Sequence, residues 1–155
     1  MYKFPYKMDY IGSYSATLRN PPEVIGALPE GIRINFEVTG GELIGDKLRG
    51  IVKPVGGDWF TLRSDGVCVL DVRATLETHD GALIYVHYNG IGDLGADGHA
   101  NFLAGKMPKI LSLRTAPMMH TTHPDYLWVN RLQFVSIGEV DLETAVVRYD
   151  VYAMR

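Results

Sequence analysis

The chain has 155 residues, 46% of them hydrophobic and 21% charged, which is the composition of one folded domain and excludes a disordered or collagen-like chain. Its formal net charge of -3, with acids and bases interspersed, leaves no footprint for a polyanion, so nucleic acid is not an expected partner. Cys68 is the single cysteine, which removes internal disulfides, and no window approaches the roughly 18 apolar residues of a membrane span. Lys3, Lys7 and Asp9 stand where a signal peptide needs an apolar core, so the expected compartment is the cytoplasm.

Seventeen glycines and eight prolines punctuate short runs that alternate with period two, the strand signature. Tyr2, Phe4, Tyr6, Met8 and Tyr10 form the first such run, with Pro5 suited to a strand start or edge. Residues 13–29 look irregular. The clearest alternation is Ile32, Ile34, Phe36 and Val38 against Arg33, Asn35 and Glu37, ending at Gly40-Gly41. Further strands are expected over 47–53, 58–63, 67–78, 83–89, 111–114, 132–137 and 146–153. Residues 98–110, with Gly105 and Pro108, read as a loop with one helical turn, and residues 124–131 as a short helix entered through Pro124. The first and last strands should lie together. The expectation is one all-β domain over residues 1–155, a single antiparallel β-barrel of up-and-down, lipocalin- or streptavidin-like character.

Two turns determine which side chains share a face. Ser64-Asp65-Gly66 and His79-Asp80-Gly81 fit either two-residue or three-residue hairpin loops, and a one-residue slip exchanges the faces. Three-residue loops pair Arg63 with Val67, Trp59 with Asp71, Arg73 with His87 and Thr75 with Tyr85. One face then carries Trp59, Asp71, Arg73, Tyr85 and His87, and the other Phe60, Leu70, Val72, Ala74, Ile84 and Val86. The two-residue alternative mixes Asp71 and Arg73 with Ile84 and Val86, burying unpaired polar groups at about 1–3 kcal/mol each, so the three-residue loops are expected. Which face encloses the interior stays open: the apolar face is the ordinary core, whereas the polar face would make a cavity wall with Trp59 and Tyr85 beside a ligand.

The central block Gly56-Gly57-Asp58-Trp59, Asp65-Gly66, Asp71, Arg73, Thr78 and Asp80-Gly81-Ala82-Leu83-Ile84-Tyr85 resembles the domain-of-unknown-function family 3237. The likeness continues at Arg114-Thr115, Pro117, Thr121, Tyr126, Trp128 and Val129-Asn130, and covers the chain from about Gly26 onward. It implies an antiparallel barrel that binds or converts a small molecule. It also carries over Asp58, Trp59, Asp71, Arg73, Thr78, Arg114, Thr121 and Asn130 as the polar motif. The chain departs from the family where Met119-His120 replaces an aromatic-Glu step, which makes His120 the candidate for that glutamate's role.

On the polar face, Asp71 and Arg73 can pair or jointly hold a polar ligand, against the alternative of an exposed ion pair worth about 0–1 kcal/mol. His87, facing Arg73, is the candidate acid or base, and Tyr85 a donor to an enolate or carbonyl oxygen. His120 and His123 are spaced H-x-x-H, but in a loop setting the expectation is no metal. No phosphate-loop, dinucleotide or G-x-S-x-G pattern occurs, so no cofactor is expected, and Cys68 on the apolar face should be inert. The leading functional expectation is cofactor-independent acid–base chemistry on a carbonyl or aromatic metabolite, of isomerase, cyclase or lyase type. Asp71, His87, Tyr85 and His120 would be catalytic; Asp58, Trp59, Arg73, Thr78, Arg114, Thr121, Trp128 and Asn130 would bind the ligand. The alternatives are a carrier with the same pocket and no turnover, and an interaction protein that forms a homodimer through its apolar face.

Overall fold

A computed structural model describes Met1–Arg155. Ten strands appear in chain order: β1 Met8–Leu18, β2 Glu23–Leu28, β3 Gly31–Ile44, β4 Gly50–Leu62, β5 Val67–Thr78, β6 Leu83–Asp93, β7 Ile110–Thr115, β8 Met118–His120, β9 Gln133–Asp141 and β10 Val146–Met154. One short helix, α1 Gly98–Leu103, and a 3-10 helix, Pro124–Arg131, complete the chain. All ladders are antiparallel in the order β1-β10-β9-β7-β6-β5-β4-β3, and β3 returns to β1, so eight strands close into a barrel. β2 extends the wall beside the first half of β3, and β8 pairs with β6 next to β7. No helix is long and apolar enough to cross a membrane.

The two three-residue hairpins form as expected. The Arg63 N–H donates to Val67 O at 2.9 Å, Thr78 N–H donates to Ala82 O at 2.9 Å, and Arg73 faces His87 while Thr75 faces Tyr85. The terminal strands also pair, Tyr14 with Tyr149 and Ala16 with Val147. The short helices fall where the prolines and glycines placed them.

Four of the strands differ from expectation. The first strand starts at Met8, leaving Tyr2, Phe4 and Tyr6 exposed before it, and runs to Leu18, because after a register shift at Tyr10–Gly12 the side chains of Tyr14, Ala16 and Leu18 turn inward while Ser13, Ser15 and Thr17 face out. β2 occupies the rest of the stretch that looked irregular. β3 does not end at Gly40-Gly41 but runs through it. A Cβ on Gly41 would lie 2.1 Å from Ser15 O, so the missing side chain lets β3 press against β1 and seal the barrel. The two runs at 47–53 and 58–63 are one strand carrying a bulge: four steps from Val52 to Gly56 oppose two steps from Leu76 to Ala74. Gly56 makes it possible with φ +92 and a Cβ position 2.1 Å from Arg73 O.

The apolar face is the inside. Leu70, Val72, Ala74, Ile84, Val86 and Phe60 are all buried in one continuous core, and Phe134, Ile32, Leu62 and Val129 are fully enclosed within it. Burying such a side chain contributes about 1.5–3 kcal/mol. The 3-10 helix adds Tyr126 and Val129 to this core and is tied to the β5–β6 turn by the Tyr126 hydroxyl, which donates to Asp80 at 2.9 Å. The apolar face on which the dimer expectation relied is therefore taken up by the barrel interior.

Candidate functional site

Asp58 is the one charged side chain whose position in the period matches the inward residues Phe60 and Leu62. The β4 bulge precedes it, and it enters the barrel with 9% of its surface exposed. Its Oδ1 accepts a hydrogen bond from the Asp71 N–H at 2.9 Å. Oδ2 has no protein donor. Burial pushes the Asp58 carboxyl up to about 7, against the lowering effects of the Asp71 N–H and, more weakly, the Arg33 charge. An acid that titrates near neutrality inside an apolar enclosure can both give and take a proton.

Around it stand three tyrosines. Tyr14 and Tyr149 have ring centroids 6.1 Å apart; Tyr88 meets Tyr149 edge-on at 6.0 Å and 80°. All three are buried, and loss of hydration pushes each phenol well above its ordinary range, with the Asp58 charge adding to the rise at Tyr88 and Tyr149. They therefore remain neutral hydrogen-bond donors. The Tyr149 hydroxyl is buried and makes no hydrogen bond within 3.5 Å; the Tyr88 hydroxyl is the polar neighbour near enough to act on it.

These groups line an interior chamber whose remaining wall is apolar, with Leu70, Val72 and Val147 along its sides and half-buried Leu18, Phe36 and Leu142 at its rim. The chamber opens about 40 Å³ to the centres of water-sized spheres, where a single water needs about 10–15 Å³. With atomic radii added, this is room for one small ring. Asp58 also borders a wetter groove outside the barrel, beside Arg19, Asn35, Glu37 and Gly57, so the carboxyl sits in the wall between chamber and groove.

The polar face, which would have formed a cavity wall had it turned inward, lies outside. Asp71 and Arg73 make an exposed ion pair at 3.2 Å, with their side chains 38% and 46% exposed. The Arg73 guanidinium lies 5.6 Å from the centroid of the Trp59 ring, which is itself 42% exposed. Tyr85 stacks with His87 at 6.5 Å and with His120 at 6.2 Å on the outer surface. The structure thus brings Asp71, Arg73, Tyr85, His87 and His120 together, but on the convex side. The reason is elementary: the inward positions from Cys68 to Leu76 on β5 and from Ile84 to Tyr88 on β6 are apolar or tyrosine, and enclosing the opposite face would have stranded an Asp, an Arg and a His away from water.

Other motif residues hold turns. Thr78 bonds the Asp80 carboxylate and accepts from the Ala82 N–H at 2.9 Å, which shapes the β5–β6 hairpin. Asn130 and the Thr121 backbone exchange two hydrogen bonds at 2.8 and 2.9 Å, while the Thr121 hydroxyl donates to Leu83 O at 2.8 Å. Trp128 packs half-buried against the core. Arg114 is exposed and donates to the neighbouring Leu113 O at 2.7 Å. The His123 imidazole caps the 3-10 helix by accepting from the Asp125 N–H at 3.4 Å. Burial pushes the Cys68 thiol up to about 12, consistent with an unreactive core group.

Of the expected ligand residues, Asp58 alone lines the chamber. The three tyrosines do not stand out as functional groups in the sequence because each occupies an apolar position in its strand. Their shared inward parity with the lone acid Asp58 is the available signal.

This combination of barrel, inward aspartate and tyrosines can be set beside known proteins. Residues 7–154 match the family described as "Protein of unknown function (DUF3237)". The chain belongs to this family. A UPF0311 protein of Rhodopseudomonas palustris is 30% identical over 129 residues, covering 82% of this chain and 83% of its own. A UPF0311 protein of Clostridium acetobutylicum is 31% identical over 147 residues, covering 92% and 93%. Among solved structures, a β-barrel-like protein of Acinetobacter baumannii superposes with a TM-score of 0.84 at 29% identity, covering 99% of both chains. A protein of Penicillium herquei described as an enzyme shares the fold, with a TM-score of 0.68 at 20% identity over 100% of this chain and 98% of its own.

Proposed function

We propose that this family member is a cofactor-independent acid–base enzyme acting on a small, uncharged carbonyl or phenolic compound held inside the barrel. The observation that carries the proposal is the enclosure of one near-neutral carboxyl, Asp58, with the buried hydroxyls of Tyr14, Tyr88 and Tyr149 in a chamber whose remaining wall is apolar. An anionic ligand would meet the Asp58 charge in a poorly solvated space, so the expected substrate is neutral. In the reaction this favours, carboxylate Asp58 takes a proton from the carbon beside a carbonyl, and the electron pair moves into the enolate. The Tyr149 hydroxyl donates a hydrogen bond to the enolate oxygen, and protonated Asp58 then returns the proton to the same or a conjugated carbon. Isomerisation, cyclisation and elimination all begin with such a transfer. The wet groove on the other side of Asp58 gives its proton a path to solvent.

The apolar lining also supports a second reading, a carrier that binds the same class of ligand without turnover. Proton exchange separates the two. Cyclohexanone in D2O, followed by proton NMR, should lose its α-protons faster with the wild-type protein than in matched buffer. Asp58→Asn should remove that acceleration by about 100-fold or more, whereas Arg73→Ala and His87→Ala on the outer face should retain it. Binding without exchange would establish the carrier; exchange unchanged in Asp58→Asn would reject the site.

A further inference from the structure

The tyrosine trio does not close the bottom of the Asp58 chamber against solid core. Tyr14, Tyr88 and Tyr149 also form the roof of a second, lower chamber, walled by Leu76, Val86 and Val151 and bordered by Thr115 and Ser136. It opens about 20 Å³ to the centres of water-sized spheres, the space of one or two waters or of the polar end of a slender group. Thr115 and Ser136 face each other across β7 and β9, and both are buried, at 6% and 2% exposure. The Thr115 Oγ1 is buried without a hydrogen-bond partner, as is the Tyr149 hydroxyl above it.

Two hydroxyls that make no hydrogen bond within 3.5 Å, on chambers that share Tyr14, Tyr88 and Tyr149 as a common wall, call for an explanation, since each unmade buried bond carries a desolvation penalty and a valine or phenylalanine of the same shape would avoid it. The remaining orphan atom, Asn35 Oδ1, lies beside the outer groove. We propose that the lower chamber is a second subsite of the interior site, which receives the hydrogen-bonding end of a slender, uncharged ligand whose reacting end lies at Asp58. Thr115 and Ser136 hold that end, and Tyr149 stands in the wall the two chambers share, which a ligand reaching both displaces. The length follows from the wall: Val72 in the upper chamber and Leu76 in the lower are four residues apart on β5, or ~13 Å of strand. The substrate class thereby narrows to a ring with a substituent of several atoms opposite its reacting oxygen, ending in a hydroxyl, carbonyl or amide. A charged end does not fit, because no side chain in the lower chamber can pair with it.

The inference rests on the reading that the Asp58 chamber binds a ligand, and the probes keep the two apart. 4-Pentylphenol and 4-(4-hydroxybutyl)phenol have the same number of heavy atoms and differ only in a terminal methyl or hydroxyl. Their affinities for wild-type protein, Asp58→Asn, Thr115→Val and Ser136→Ala are to be measured by calorimetry. The wild-type protein should bind the hydroxyl-ended probe at least as tightly as the methyl-ended one. Thr115→Val should shift that ratio tenfold or more toward the methyl end without lowering the melting temperature, and Ser136→Ala should shift it in the same direction. A methyl preference of equal size in the wild type and both variants would overturn the subsite while leaving the Asp58 site standing. If neither phenol binds, or if Asp58→Asn binds both unchanged, the Asp58 site fails and the subsite with it.

Discussion

Asp58 and Asp71 are joined by a single hydrogen bond, from the backbone N–H of one to the carboxylate of the other, yet they occupy opposite solvents. Asp71 lies outside the barrel, pairs with Arg73, and keeps water on its free side. Asp58 lies inside, without a cation in contact, and its carboxyl rises to about 7 because hydration is lost and little replaces it. A barrel wall one residue thick can thus set two identical side chains to different chemistry. The outer cluster has more functional groups, but they are solvated and already paired. The inner cluster has fewer, and they are shielded and face no counter-charge in contact, which is the condition under which a proton transfer gains from its surroundings.

The contrast between the two aspartates collapses if inner residues prove as replaceable as outer ones. The largest expected effect is structural: Phe134→Ala, at a fully enclosed position, should destabilise the barrel by about 3–5 kcal/mol in urea unfolding, whereas Tyr85→Ala on the outside should change stability by about 0.5 kcal/mol or less. Next comes the charge on Asp58. Its folded value lies above the unfolded one of 3.8, so folding favours the protonated form. Stability is full below about pH 4, falls as pH rises toward 7, and is flat above that with respect to this group. The loss is up to about 4 kcal/mol, since every tenfold difference in proton affinity between the folded and unfolded chain is worth ~1.4 kcal/mol. Asp58→Asn should abolish this part of the pH dependence and melt higher than wild type at pH 8; an unchanged profile would place the aspartate in water. Tyr149→Phe, which removes an orphan hydroxyl, should leave stability unchanged or raise it by about 1 kcal/mol, and a loss above that would mean the hydroxyl is already bonded within the protein. A small effect also belongs to the outer ion pair, where Asp71→Asn should cost about 0–1 kcal/mol and less in high salt.

The barrel was legible in the sequence because period-two alternation and the two Asp-Gly turns determine both strand pairing and which residues share a face. Strand length was less so. Serines and threonines on the outer side of β1 hid its second half, and the bulge at Lys53–Val55 made one strand look like two. The site was legible only in part. Alternation separates an apolar from a polar face, but the side that curves inward is decided by the sum of burial over eight strands, which no hairpin reveals alone. Asp71, Arg73 and His87 therefore stood out as a polar cluster, although clustering of polar groups is what an outer surface produces. Asp58 was reached by resemblance, while Tyr14 fell in the stretch that looked irregular and Tyr88 and Tyr149 took strand positions where an alternating pattern does not separate a hydroxyl from a packed ring.

The decisive measurement is the titration of the Asp58 carboxyl carbon, followed by carbon NMR on protein labelled at aspartate and assigned by its absence in Asp58→Asn. An enclosed, ligand-facing Asp58 predicts a midpoint near pH 7, displaced when a phenol enters the barrel and unmoved by Arg73→Ala. A midpoint in the ordinary carboxylate range, indifferent to phenol, would contradict it.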